Sequence, residues 1–438
     1  MTYAPPAPPR GGSIGGFLRN TLWLLAGRGT GAVLGLVYLG LATRGLGPEG
    51  FGRFVLILGM GQAVAALVGF QTWQIVVRYG ALHLKAGEDA AFARLVACSL
   101  GLDWAGAIAG CLIAAGAVWL VGPYLGWDAA DSRAALAFAI VLLLSVRSTA
   151  IGVLRAHDRY ALGAAADAVT PLVRMAGAVV VVLAGATVGG FLLVWALSEA
   201  VTALVYWLIA RRVGRAALRL PRKGDARWAM RENPGLWRFA AGVNAGAVLA
   251  GVSRQLVVLL IGMFVGPVAA GGYRLANQIG QALARAADLL SRALFGELAR
   301  AHAGYAGTAL PDLFRHATLV AAGLAGTIVL LLVTVGRPAL GLIAGADYLW
   351  AYPLLLMLGI AAALDVAGVS FEPALLATGR VGRALTLRCL TATLLFAALA
   401  GLLPAWGVTG AALATLLASA AGLLLFGASA RAAVRRQA

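Results

Sequence analysis

Residues 274 to 292 read Arg-Leu-Ala-Asn-Gln-Ile-Gly-Gln-Ala-Leu-Ala-Arg-Ala-Ala-Asp-Leu-Leu-Ser-Arg, and within them Arg274, Gln278, Gln281, Arg285, Asp288 and Arg292 recur at alternating steps of four and three. That spacing puts all six on one face of one helix. The stripe runs about 27 Å at 1.5 Å per residue, close to the hydrocarbon thickness of a bilayer. A helix lying flat on a membrane would also suit a basic face opposite Leu275, Ile279, Leu283 and Leu290. A helix that crosses must turn the stripe toward a wet cavity. Crossing is expected here, because the chain has to return after residues 239 to 264.

The surrounding chain supports that placement. Of 438 residues, 61% are hydrophobic and only 12% charged, and the mean hydropathy is +0.88, far from a soluble composition. Apolar stretches long enough to span recur near residues 20–42, 54–76, 95–120, 134–154, 164–186 and 188–210. A second set lies near 239–263, 269–296, 317–336, 353–374, 385–403 and 407–428. The fold class expected is an all-α polytopic membrane protein of about twelve helices.

The net charge of +18 invites a nucleic-acid reading, but its placement argues for topology instead. With the N-terminus inside, alternate loops collect about 24 of the 35 Lys and Arg residues and the opposite loops about five. This positive-inside pattern places both termini in the cytoplasm. The expected organisation is a cytoplasmic tail (1–19), a six-helix bundle (20–210), a basic cytoplasmic linker (211–238), a second bundle (239–428) and a short cytoplasmic tail (429–438). The linker's charges suit an anionic leaflet.

The chain also repeats itself at an offset of about half its length. Ala26-Gly27 followed by Gly31-Ala32-Val33-Leu34 returns as Ala241-Gly242 followed by Gly246-Ala247-Val248-Leu249. Gly47-Pro48 with Gly52 and Phe54 returns as Gly266-Pro267 with Gly271 and Tyr273. Six crossings separate the copies, so the two bundles run parallel, an arrangement that encloses a central path and supports alternating access. A transporter is the function class this suggests.

Other chemistries find little support. No Walker A pattern occurs, the linker is too short for a catalytic domain, and His83, His157, His302 and His316 all fall in or near cytoplasmic loops. Neither cofactor, metal site nor enzymatic activity is expected. Cys98, Cys111 and Cys389 lie in apolar segments and form no disulfide framework. Asp128, Asp131 and Asp347 in the outer loops read as solvated turn residues.

Charges inside apolar segments are the functional candidates: Arg28, Asp103, Arg147, Arg174, Glu199, Arg254, Arg285, Asp288 and Asp365. Each costs about 2.5–3.5 kcal/mol if left facing lipid, so each should face a cavity or a partner. Arginine dominates and lysine is missing, which favours an anionic passenger, phosphate above all, held by bidentate hydrogen bonds.

Several stretches resemble a known family. Arg44-Gly-Leu-Gly-Pro-Glu-Gly-Phe-Gly-Arg-Phe54, followed by Gln74-Ile-Val-Val-Arg78-Tyr, is similar to the first two helices of polysaccharide flippases, the O-antigen and exopolysaccharide exporters of the multidrug/oligosaccharidyl-lipid/polysaccharide (MOP) superfamily. Gly266-Pro267 to Tyr273-Arg274-Leu-Ala276 and Ala374-Leu-Leu-Ala-Thr-Gly379-Arg380 fit the same pattern. The resemblance implies a fold like that of the multidrug and toxin exporters, two bundles around a central cavity. It further implies movement of undecaprenyl pyrophosphate-linked oligosaccharide from the cytoplasmic to the periplasmic leaflet of the bacterial inner membrane. Expected partners are that lipid-linked substrate, membrane lipids, and a polysaccharide polymerase with its export machinery, with no nucleic acid.

On this reading Arg28, Arg254, Gln278, Gln281, Arg285 and Arg292 contact pyrophosphate or sugar, and Asp103, Glu199, Asp288 and Asp365 are candidates for ion coupling. Asp288 can alternatively pair locally with Arg285 or Arg292. Two other classes compete: a cation-exporting drug antiporter of the same superfamily, which should show a deep acidic site, and a membrane glycan polymerase or ligase, which should show a catalytic outer loop. The lipid II flippase of peptidoglycan synthesis is closer in chemistry but usually has two further helices.

Overall fold

The computed structural model describes the backbone of residues 14–214, 218, 219, 222, 224–303, 310–377 and 380–435. Side chains are described for 31, 34–214, 218, 219, 222, 224–285, 315, 316, 318–375, 380 and 382–433. Every regular element among these residues is helical. Nine segments among them are long and apolar enough to cross a membrane, including Leu34–Ala86 and Gly382–Ala433, of 53 and 52 residues.

Glycine-proline punctuation sets the layout. Helix α1 (Ile14–Val68) turns sharply at Gly47, whose φ of 66° is available to glycine without a Cβ clash, with Pro48 restarting the helix. Its second-half counterpart is the junction at Gly266 (φ 110°) between α10 (Leu236–Phe264) and α11 (Pro267–Ala303). The repeat read from the sequence is therefore a repeat of structure. Phe54 and Tyr273, matching positions beyond the two turns, are both buried in the main apolar core.

The first half continues through α2 (Thr72–Ile75), a π-turn at Val76–Gly80, α3 (Ala81–Ala86), α4 (Asp89–Val121), α5 (Ala129–Leu144), α6 (Ser148–Ala156), α7 (Tyr160–Leu183) and α8 (Val188–Val213). Asp128 caps α5 by accepting from the backbone N–H of Ala130 and Asp131, which holds its carboxyl below the usual carboxylate range. The second half runs through α12 (Leu310–Ala344), α13 (Tyr352–Ala367), α14 (Phe371–Ala377) and α15 (Val381–Arg435), the last turning at Gly407 (φ 57°).

The basic linker is more ordered than its composition suggests. It carries α9 (Asp225–Glu232), which docks on α4. Arg94 forks onto the Glu232 carboxylate, His83 Nε2 lies 3.0 Å from Asn233 Oδ1, and Arg219 makes two bonds of 2.6 and 2.8 Å to Asp225. The Arg219 guanidinium holds the Asp225 carboxyl below its ordinary range. The linker thus belongs mechanically to the first half of the chain.

Two helix breaks lie side by side in that half, at residues 69–71 and 145–147, and one carboxylate joins them. Buried Asp103 on α4 accepts from Thr72 Oγ1 (2.8 Å), Thr149 Oγ1 (2.6 Å) and Thr149 N–H (3.0 Å). It satisfies donors freed where α2 and α6 begin. Asp103→Ala removes the shared acceptor and leaves these donors buried and unpaired, a cost of about 1.5–3 kcal/mol. A lowered thermal midpoint in detergent is expected, with Asp103→Asn less affected. An unchanged midpoint for both would show that the breaks stand without it.

Candidate functional site

The halves meet along α1, α10 and α11. Arg274 from the polar stripe reaches across this seam. Its Nη1 lies 3.3 Å from Gln255 Oε1 on α10 and its Nη2 3.3 Å from Gln62 Oε1 on α1. Gln255 Nε2 donates to the same Gln62 oxygen at 2.9 Å, closing a ring of three side chains on three helices. The charges of Arg254 and Arg285 act repulsively on Arg274. Among the described residues no carboxylate comes within ion-pair distance of any of the three guanidiniums. Arg254 and Arg285 are exposed although their helices lie between other helices. Arg254 Nε donates to the Ala250 carbonyl at 3.2 Å. A cationic cluster of this kind gains most from a multiply charged anion, which the planar forks can grip in pairs.

The charges around Glu199 in the first half are matched. Glu199 on α8 takes Arg147 Nη1 at 2.5 Å on one oxygen and Arg174 on the other. Arg174 also donates to Ser198 Oγ (2.9 Å) and stacks 3.6 Å from the centre of the Trp195 ring. These groups form a closed network around Glu199.

The second half holds a cavity of about 580 Å³ between α10, α13, α14 and α15. Arg254, Asp365, Glu372 and Arg388 line it, with Ser253, Thr391, Thr415 and Ser419. Asp365 is exposed within it and accepts from Ser419, and Arg388 pairs with Glu372 at 2.7 Å. A smaller space of about 150 Å³ in the first half is lined by Gly69, Phe70, Asp103 and Arg147 at the helix breaks.

The residues expected from sequence divide as follows. Arg254 and Arg285 stand with Arg274 at the seam. Gln278 and Gln281 are half-buried on α11. Asp103, Glu199 and Asp365 occupy three separate places, bound respectively to threonines, to arginines and to a serine beside the large cavity. Arg28, Asp288 and Arg292 lie on helices whose side chains at those positions fall outside the described residues.

Sequence reasoning passed over Gln62 and Gln255, and noted Arg274 without giving it a role. One signal was available for Gln62. Gly61-Gln62-Ala63 returns as Gly280-Gln281-Ala282, at the same spacing that separates Gly52 from Gly271. Arg388 and Glu372 were passed over as well, because they sit near helix ends where charge is ordinary.

One end of the seam is built from the two repeated turns. A Cβ on Gly52 would fall 2.2 Å from the Pro267 carbonyl oxygen, and one on Gly271 would fall 3.2 Å from Gly52 Cα. The turns therefore touch backbone to backbone. Phe51 meets Tyr348 edge to face at 6.0 Å, and Arg44 donates to the Leu342 carbonyl at 2.5 Å, extending the contact to the 346–351 turn and α12.

Known proteins share this architecture. The polysaccharide biosynthesis protein family matches residues 17–302. Inner membrane protein YghQ of Escherichia coli (strain K12) is 29% identical over 355 residues, covering 78% of this chain and 97% of that one. Among solved structures, an inward-facing MATE family multidrug resistance transporter of the MOP superfamily superposes with a TM-score of 0.66 at 15% identity, covering 93% and 96% of the two chains. The lipid II flippase MurJ in an inward closed conformation superposes with a TM-score of 0.65 at 11% identity, over 91% and 86%. At such identities the likeness is one of fold. The chain is a multi-pass membrane protein that belongs to the polysaccharide biosynthesis protein family and is built on the fold of the MOP superfamily transporters.

Proposed function

We propose that this protein is a flippase that carries undecaprenyl pyrophosphate-linked oligosaccharide repeat units across the bacterial inner membrane for cell-surface polysaccharide synthesis. The observation that carries the reading is the cluster of Arg254, Arg274 and Arg285 at the seam, three guanidiniums with no carboxylate at ion-pair distance among the described residues. The family match and the likeness to an inner membrane protein support it. A drug-cation exporter would place the opposite charge at this position.

In this mechanism the chain crosses twelve times in two bundles, residues 20–210 and 239–428, with both termini in the cytoplasm. Pyrophosphate binds the guanidiniums, the sugars occupy the wet interior, and the prenyl tail stays among the lipids. The touching turns at Gly52 and Pro267 then shut the outer end, and the bundles rock about the seam to open it. The protein performs no bond chemistry and uses no cofactor or metal. Among the candidate carboxylates with described side chains, Asp365 keeps open access to the cavity and is the one we assign to ion coupling. Polymerase and export proteins act after release.

The test is a mass-spectrometric profile of prenyl-linked lipids from cells lacking the protein and from complemented cells. Accumulation of a pyrophosphate-linked oligosaccharide that complementation clears is the expected result. An unchanged pool together with new sensitivity to cationic drugs would overturn the reading.

A further inference from the structure

The cavity in the second half has a charge balance unlike that of the seam it adjoins. Its lining carries two guanidiniums, Arg254 and Arg388, and two carboxylates, Asp365 and Glu372, a formal sum of zero. Arg388 and Glu372 neutralise each other directly. Asp365, exposed to the cavity, retains acceptor capacity beyond its bond from Ser419. A balanced, wet cavity with fixed acceptors and donors offers little net gain to a charged guest. It rewards one rich in hydroxyl groups, which bridges carboxylate and guanidinium at once. Phe426 supplies an apolar wall for the C–H faces of sugar rings, and about 580 Å³ lies within the range of about 300–1,000 Å³ typical of small-molecule sites.

Arg254 belongs to both places: it lines this cavity and its charge acts on Arg274. A ligand seated here and on the seam would join an uncharged polyhydroxyl part to an anionic part. We infer that the cavity between α10, α13, α14 and α15 is a saccharide subsite, selective for uncharged sugars next to the pyrophosphate. The inference rests on the flippase reading and extends it by naming where the glycan sits and which glycans fit. Among the described residues of the first half, Glu199 is already held between two guanidiniums.

Binding to the full-length protein in nanodiscs separates the two claims. The probes are a short prenyl pyrophosphate, the same molecule carrying a neutral N-acetylated disaccharide, and the same carrying a disaccharide with a uronic acid. The neutral glycan is expected to tighten binding about tenfold over the bare pyrophosphate, and the acidic one not at all. Asp365→Asn should lose that gain, because its amide no longer offers the sugar hydroxyls a charged acceptor. Gly422→Leu should do the same by filling the space, because a Cβ there meets only an ordinary contact of 3.6 Å from Thr391. Binding of the bare probe by each variant reports that it is folded. Equal binding of bare and neutral-glycan probes, or a gain that survives both substitutions, overturns the subsite while leaving the flippase standing. Binding of none of the three probes overturns both.

Discussion

Arg274→Ala is expected to reduce transport of the lipid-linked glycan at least tenfold, and Arg274→Lys to recover only part of it. The guanidinium is the member of the cationic cluster that bridges both halves, through Gln62 on one side and Gln255 on the other. Removing it loses charge-assisted hydrogen bonds worth about 1.5–3 kcal/mol each, or about 10- to 150-fold in affinity for every such bond to the phosphate. Lysine keeps the charge but presents one compact donor group in place of the planar fork, so it cannot span both glutamines and an anion together. The measurement is flipping of a fluorescent prenyl pyrophosphate-linked saccharide in proteoliposomes, with insertion checked by circular dichroism and size-exclusion profile. Wild-type rates in a correctly folded Arg274→Ala protein would remove the seam from the mechanism.

Gly52→Val should act without touching any ligand group. The added side chain has nowhere to go, since the Pro267 carbonyl occupies its place. Forcing bulk into a backbone-to-backbone contact costs about 1–3 kcal/mol, enough to shift a two-state equilibrium about 5- to 150-fold. The conformation in which the turns touch pays this cost, so the population should move toward forms in which they part. Spin labels on the two bundles beside these turns would report longer distances, and, on the flippase reading, flipping would slow because the return to the touching form is disfavoured. Gly271→Ala should move both readouts in the same direction but less, as its Cβ meets neighbours at 3.2 Å. Unchanged label distances in Gly52→Val would mean that the turns do not gate.

What the sequence made legible was whatever local pattern encodes. The four-and-three spacing of the stripe from Arg274 announced a helix, and Gly47-Pro48 and Gly266-Pro267 announced the paired turns. Contacts between distant helices were not encoded in this way. Arg147, Arg174 and Glu199 read as three separate buried charges, and only the fold joins residues 25 and 52 positions apart into one network. The break at 145–147 carries neither glycine nor proline, and Asp103, far away in sequence, holds the new helix start. Gln255 drew no notice beside Arg254, since an amide in an apolar run looks like packing until its partners are seen. The touching of the two turns was likewise out of reach, because a repeat shows that two pieces are alike and says nothing of whether they meet.

The unbalanced seam has an electrical consequence on the flippase reading. Among the described residues, the seam's three guanidiniums would make the empty carrier a positive body inside the transmembrane field, where each elementary charge moved through the full potential exchanges about 2.3 kcal/mol per 100 mV. A bound pyrophosphate cancels most of that charge, so the loaded carrier swings across with little electrical work. The voltage then falls on the return stroke, in which the vacant arginines travel alone. An interior-negative cell draws them back toward the cytoplasm, and the resting potential itself becomes the spring that resets the machine.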